Sequence, residues 1–397
     1  MRTTAIGSLT AAVVLVFTAF ALLVLPASAT ILHVPDPYET IAAGIAAASP
    51  GDTVWVACGT YNEPGLEITS AITLMGDTQY PCCVQIDAGG ADRVLTISDA
   101  SGAWIQGIEF MNGAALFGAG VYVDSCDVSF YGCCFTDNVA EVEGGGLRYR
   151  YGDPWITGCW FTNNSAADRG GNLAMRGTGG DVAECSFLGG TAEWGGGACV
   201  RVEATTEFYD CVFDGNHATG DEGYGGGFYA GSNAMPAVIN CSFIGNSSGL
   251  CGGGAASYGC EAFVFSSSSF SDNTAQWGGA IYVTDALSGD VTQGTFARNE
   301  ASGGGAVLLE NAGHSGVHNS YFLDNTATTE AGGGVLILDA AEGGGVTDCI
   351  FEANSAVYGG GVALQGGAPG MPVYGCTFAL NTITGGRGVG AVSYTHL

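Results

Sequence analysis

Gly332-Gly333-Gly334-Val335-Leu336-Ile337-Leu338 opens a unit that closes with Asp348-Cys349-Ile350-Phe351-Glu352-Ala353-Asn354-Ser355-Ala356, and Gly359-Gly360-Gly361 then begins it again. Glycine turn, apolar strand, bend, short strand and second bend describe one lap of a coiled sheet. Phenylalanine keeps step with this unit at Phe110, Phe135, Phe161, Phe187, Phe213, Phe243, Phe270, Phe296, Phe322, Phe351 and Phe378. The intervals are 25, 26, 26, 26, 30, 27, 26, 26, 29 and 27 residues. A near-constant period of this size marks stacked repeats, in which each unit buries its apolar face on its neighbours.

Other columns keep the same phase. Five residues before each Phe stands Ile105, Phe130, Ile156, Val182, Phe208, Val238, Phe265, Val291, Val317, Val346 or Val373, always apolar. Three residues before it, Gly, Asn, Asp and Glu dominate, which suits a bend with unusual backbone angles. Three residues after it come Asn138, Asn164, Asn216, Asn246, Asn273, Asn299, Asn325, Asn354 and Asn381. These predict an asparagine ladder whose stacked amides satisfy turn backbone groups. Eleven coils at about 4.8 Å give a rod on the order of 50 Å. One buried large apolar side chain, worth about 2 kcal/mol, recurs in every column of every coil.

The expected fold is therefore all-β: a three-sheet parallel β-helix of about eleven or more coils, regular over 108–392. Residues 30–107 read as an N-terminal cap and first coils. Asp36-Pro37-Tyr38-Glu39 resembles a helix start with Asp36 as N-cap, and Ile41, Ile45 and Ala48 follow at helical spacing. A short helix there would cover the open end of the solenoid. Arg2, the apolar run Ala11–Leu25 and Ala27-Ser28-Ala29 read as a signal peptide over 1–29. They place the mature chain outside the cytoplasm, secreted or at the cell surface, with no transmembrane helix. At the other end, Gly385-Gly386-Arg387-Gly388-Val389 opens another strand, and 393–397 read as an irregular tail on a truncated chain.

Net charge is −29, and all nine basic residues are arginine. Such a surface repels nucleic acid and anionic lipid. Of fifteen cysteines, Cys133, Cys159, Cys185, Cys211, Cys241, Cys349 and Cys376 lie two residues before the repeat Phe, on its inward face. Ser268, Gly294 and Ser320 fill that column elsewhere, so it takes small residues, and the cysteines read as buried thiols. Cys82, Cys83, Cys126, Cys251 and Cys260 are the better disulfide candidates.

The Gly278-Gly279-Ala280-Ile281 and Phe270-Ser271-Asp272-Asn273 units resemble repeats of chlamydial polymorphic outer-membrane proteins. Tyr38-Glu39-Thr40-Ile41, Pro50-Gly51-Asp52-Thr53-Val54 and Gly59-Thr60-Tyr61-Asn62-Glu63 look like the first coils of pectin-lyase-like proteins. Together the resemblances cover 31–392 and imply a right-handed parallel β-helix. That fold carries lyases, hydrolases, esterases and adhesins alike. The aspartate motifs of polygalacturonase-like enzymes, Asn-Thr-Asp and Asp-Asp, are missing here.

The strand after each glycine turn carries the candidate chemistry. Its first and third residues are apolar and face in; the second and fourth face out. The fourth column reads Asp124, Arg150, Arg176, Arg201, Gly231, Tyr258, Thr284, Leu309, Leu338, Gln365, with Arg148 beside Arg150. Tyr122, Tyr229 and Tyr282 share the second column. Arg148, Arg150, Arg176 and Arg201, with Tyr122 and Asp124, form the candidate ligand site. Guanidinium forks match carboxylates, and tyrosine faces suit sugar rings. In pectate-lyase-like proteins this sheet face hosts the active site and an arginine acts as base. The competing reading pairs these arginines with Glu141, Glu143, Asp153, Asp168, Glu193 or Glu203. Two functions follow: a non-catalytic adhesive, structural or polysaccharide-binding protein, or a lyase or hydrolase acting on acidic polysaccharide. The first is favoured; partners are an acidic polysaccharide or another surface protein. No cofactor is required. Calcium could sit loosely on Asp137, Asp272 and Asp324, and His314 and His318 in one variable turn lack a third metal ligand.

Overall fold

The computed structural model describes residues 29–77, 79–339, 344–366, 372–387 and 391–394. Residues 1–28 of the expected signal peptide lie outside them. The chain winds into a parallel β-helix with three long sheets. The valine sheet has fourteen strands, from Ile31–Val34 to Val373–Tyr374. The phenylalanine sheet has thirteen, from Gly59–Tyr61 to Thr377–Ala379. The glycine-turn sheet also has thirteen, from Leu66–Ile68 to Ala391–Tyr394. That last strand pairs Gln365 with Tyr394, so the pattern runs past the expected boundary at 392.

Rung register follows the sequence columns. Phe135 lies between Phe110 and Phe161. From Phe110 to Phe378 the column is unbroken, with ring centroids 4.5–5.4 Å apart and rings near parallel. Offset stacking adds to the burial of each ring. The bend three residues before each Phe is left-handed on every coil, from Gly107 to Gly375, with φ of 51–68°. Side chains such as Gln293 rarely adopt this conformation, and stacking on both neighbours holds them there. Gly145 answers a different need. A Cβ at Gly145 would stand 2.4 Å from the Ser165 carbonyl and 2.5 Å from that of Gly171.

The asparagine column is buried and hydrogen-bonded along its length. Asn246 Nδ2 donates to Asn273 Oδ1 at 3.0 Å and to the Phe213 carbonyl at 2.9 Å, and other rungs repeat this geometry. Gly190 interrupts the column, and Asn172 from the glycine turn fills the gap. Asn164 Nδ2 donates to Asn172 Oδ1 at 2.9 Å, and Asn172 Nδ2 donates to Asn216 Oδ1 at 3.1 Å. The thiols of Cys133, Cys159 and Cys185 donate to the carbonyls of Ile105, Phe130 and Ile156 in the preceding coil. Burial pushes all three well above the ordinary thiol range.

Three expectations are corrected. The helix spans Ile41–Ala47 with Thr40 as N-cap, not Asp36. Its free amides at Ile41 and Ala42 are taken by the Glu63 carboxylate, both at 2.9 Å. A partner from the next coil thus replaces the local Asp36–Glu39 pair. Disulfides join Cys58 to Cys83 and Cys82 to Cys134. Cys126, Cys251 and Cys260 are buried free thiols. Finally, His314 and His318 lie on one strand, His314–His318, rather than in a turn. His318 Nδ1 meets Thr347 Oγ1 at 2.8 Å, and its Nε2 lies 3.4 Å from Asp290.

Candidate functional site

The outer face of the glycine-turn sheet carries three columns. Two are those of the strand itself, as in Val121–Asp124 on Leu147–Arg150, where Tyr122 pairs with Arg148 and Asp124 with Arg150. Arg150 pairs with Arg176, and Arg176 with Arg201. The fourth column continues through Gly231, Tyr258, Thr284 and Glu310. Glu310 replaces the expected Leu309, because Gly304-Gly305-Ala306 forms that turn and the strand begins at Val307.

The third column is the residue directly before each glycine turn. Phe117, Glu143, Arg169, Trp194, Tyr224, Cys251 and Trp277 stack on one another in this order. They form a wall that folds over the second column. Consequently Arg148, Tyr229 and Tyr282 are buried at 5%, 5% and 7% exposure, although their strand positions point away from the core. Tyr122 is covered by two guanidinia, with Arg93 5.1 Å and Arg148 5.4 Å from its ring centre. The second-column tyrosines are therefore packing elements, not open sugar platforms. Open aromatic surface comes instead from Tyr258, which is exposed, and from the partly exposed Trp194, Tyr224 and Trp277.

Charge is organised around Glu143, which is 4% exposed. Its carboxylate accepts from Arg148 Nε at 2.9 Å, lies 3.6 Å from Arg169 Nη1 and is contacted by Arg201 Nη2. Arg169 also pairs with Asp168 and lies 4.2 Å from the centre of the Trp194 ring. Burial holds the Asp168 carboxyl above its ordinary value, against the pull of Arg169. Arg150 lies 3.7 Å from Asp124 and stacks on Tyr151 at 5.1 Å. Of the six candidates, Arg148 and Arg201 thus converge on one buried acid, while Arg150 joins Asp124.

Arg176 differs. It stands between Arg150 and Arg201 and forms no ion pair among the described residues, and its buried Nε has no hydrogen-bond partner. Glu143 takes Arg148 and Arg201, as the competing reading expects, whereas Asp168 pairs with Arg169, an arginine outside the candidate set. The wall was legible as the residue preceding each Gly-Gly pair, a column outside the strand frame.

Farther along the same flank, Tyr224, Leu250, Cys251, Trp277, Tyr282, Leu308, Glu310 and Leu338 line a cleft of about 350 Å³. Tyr282 donates its hydroxyl to Glu310 Oε2 at 2.6 Å. Burial, reinforced by Glu310, pushes the Tyr282 phenol far up. Tyr282 follows Arg201 by three rungs, about 14 Å. Of the calcium candidates, Asp272 is held by Arg298 in a two-pronged pair at 2.8 and 2.7 Å, which lowers its carboxyl. Among the described residues no cluster of three or more His, Cys, Asp or Glu side chains is arranged to hold a metal. No helix there is long and apolar enough to cross a membrane.

No curated protein matches the chain. Among solved structures it is similar to the A-module of mannuronan C-5 epimerase AlgE6 from Azotobacter vinelandii, at 12% identity over 88% of this chain and 91% of that chain, TM-score 0.35. The AlgE4 A-module from the same organism matches at 9% identity over 86% and 91%, TM-score 0.32. The family model described as "Right handed beta helix region" matches residues 94–288 and 227–396, most of the coils described above. The chain belongs to this right-handed β-helix family.

Proposed function

We propose that the protein binds acidic polysaccharide outside the cytoplasm, without transforming it, along the flank formed by the wall and the fourth column. Arg176 carries the reading. A half-buried guanidinium with no acid of its own, between Arg150 and Arg201 in a chain of net charge −29, is an unmatched cation. A uronate carboxylate supplies its complement in two-pronged form. Tyr258, Tyr224 and Trp277 lie on the next rungs, and Tyr224 and Tyr258 are 6.2 Å apart, so sugar rings beyond the anchored carboxylate have aromatic faces to rest on.

Elimination or epimerisation at a uronate needs proton transfer and carboxylate neutralisation on one sugar. The Tyr282–Glu310 pair and the arginines are about 14 Å apart, too far to share a ring. This separation supports binding without turnover, and an arginine acting as base on the same flank is the alternative that an assay for unsaturated product tests.

Arg176→Ala removes one charge-assisted contact, about 2 kcal/mol or thirtyfold in affinity. Affinity electrophoresis in polygalacturonate and in alginate reads it directly. Retention by the intact chain that weakens with salt and is lost in the variant supports the proposal. Equal retention of both proteins refutes it, and unsaturated product absorbing in the ultraviolet would move the protein among the lyases.

A further inference from the structure

On a different flank, the valine sheet carries a second group of aromatic side chains. Trp104, Ser129 and Trp155 occupy one column on three successive rungs. Gln106, Tyr131 and Thr157 occupy the neighbouring one. Trp155 is 59% and Tyr131 47% exposed, although aromatic rings of this size normally find cover. Trp104 stacks on Tyr131 with centroids 6.4 Å apart, and its Nε1 donates to Gln106 Oε1 at 3.2 Å. Trp104, Gln106, Phe130, Tyr131, Trp155 and Thr157 line a pocket of about 210 Å³.

The two indoles rise from strands two rungs apart, about 9.5 Å, with Ser129 between them in their own column and the Tyr131 ring of the same middle strand stacked on Trp104. The patch therefore offers a sugar ring an open aromatic face, the exposed Trp155 indole with the exposed Tyr131 phenol nearby. Its walls are indole and phenol faces, and Gln106 places an amide in the lining, while the Thr157 hydroxyl is buried.

Charge selects among rings. No arginine lines this pocket, and exposed Asp181 is the rung partner of Trp155. An acidic sugar would meet repulsion here, opposite to the arginine flank. A pyranose with all its hydroxyls equatorial presents axial C–H groups on both faces and hydroxyls around its rim. Such a ring offers apolar contact to these aromatic faces while leaving its rim to water and the Gln106 amide.

We propose that this patch is a second carbohydrate site, selective for neutral β-linked glucan or xylan and independent of the acidic-polysaccharide flank. The protein then holds a neutral and an acidic polymer on separate faces.

The test uses the intact chain, with cellohexaose as neutral probe and polygalacturonate as acidic one. Cellohexaose is expected to quench tryptophan fluorescence saturably, and Trp155→Ala to weaken its binding about tenfold. Trp155→Phe, which keeps an aromatic face, should retain most of the affinity. Both variants should run like the intact chain in polygalacturonate, because Trp155 does not touch the arginine flank. No binding of cellohexaose, undiminished binding by Trp155→Ala, or tighter binding of mannohexaose with its axial hydroxyl each overturns the proposal. Loss of both polymers in Trp155→Ala overturns the independence of the two sites. If polygalacturonate is never retained while cellohexaose is, only the arginine reading fails.

Discussion

Replacing Glu143 by glutamine tests the charge network that shapes the flank. The carboxylate is 4% exposed and Arg148 is 5% exposed, so their 2.9 Å contact is screened little by water. Glutamine keeps the shape but removes the charge that Arg148, Arg169 and Arg201 share. Breaking a buried pair by removing one partner costs about 3–5 kcal/mol, because a buried charge is left uncompensated. Arg169 and Arg201 have side chains 19% and 18% exposed and can turn to solvent, so only Arg148 bears the full penalty. About 3 kcal/mol is expected. A solenoid loses structure locally, so a global melting curve would dilute the effect. Amide exchange read at Leu147–Gly152 and Leu173–Thr178 isolates it, with a predicted loss of protection of about a hundredfold. The released arginines should also raise affinity for polygalacturonate. Unchanged protection in these strands would mean that water reaches the pair, and the argument for a preformed cationic flank would fall.

Other outcomes are equally specific. Asn172→Gly reopens the gap at Gly190 and leaves Asn164 and Asn216 with buried unpaired amide groups, at about 2 kcal/mol, seen as faster exchange on those rungs alone. In the folded chain, ten of the eleven free thiols should resist an aromatic disulfide reagent and only Cys376, which is partly exposed, should react; several reactive thiols would refute the packed column. Asp52 accepts from the amides of Thr30 at 2.7 Å and Ser49 at 2.9 Å, and the Ser49 bond leads in holding its carboxyl below the ordinary value. A depressed carboxyl stabilises the fold above its unfolded value and loses that contribution as pH falls through the folded one. Exchange at Ser49 should therefore quicken below about pH 4, and Asp52→Asn should abolish that dependence.

The columns nearest the core were the legible part of this chain. Phe, Val and Asn recur because each position must fit the same residue one rung away, so a single period reveals all three. The wall has a position in the repeat but no residue type of its own: Glu143, Arg169, Trp194 and Cys251 look unrelated until stacked. Glu310 was assigned a residue early because Gly303-Gly304-Gly305-Ala306 offers two frames for the turn, and only strand pairing chooses between them. Cys58 and Cys134 were missed as disulfide partners because they belong to no column of cysteines; their partners lie one and two coils away. Asn172 was hidden for the opposite reason, since it stands in a glycine position and serves the asparagine column from outside.

Asn172 also bears on how such a chain changes over time. A lapse at Gly190 is mended from a neighbouring corner, so the spine of amides has redundancy that its spacing conceals. A lineage can lose one member of that spine, recruit another within the same lap, and keep every later lap in phase. Outward positions can then drift toward new ligands while the scaffold beneath them never has to be rebuilt.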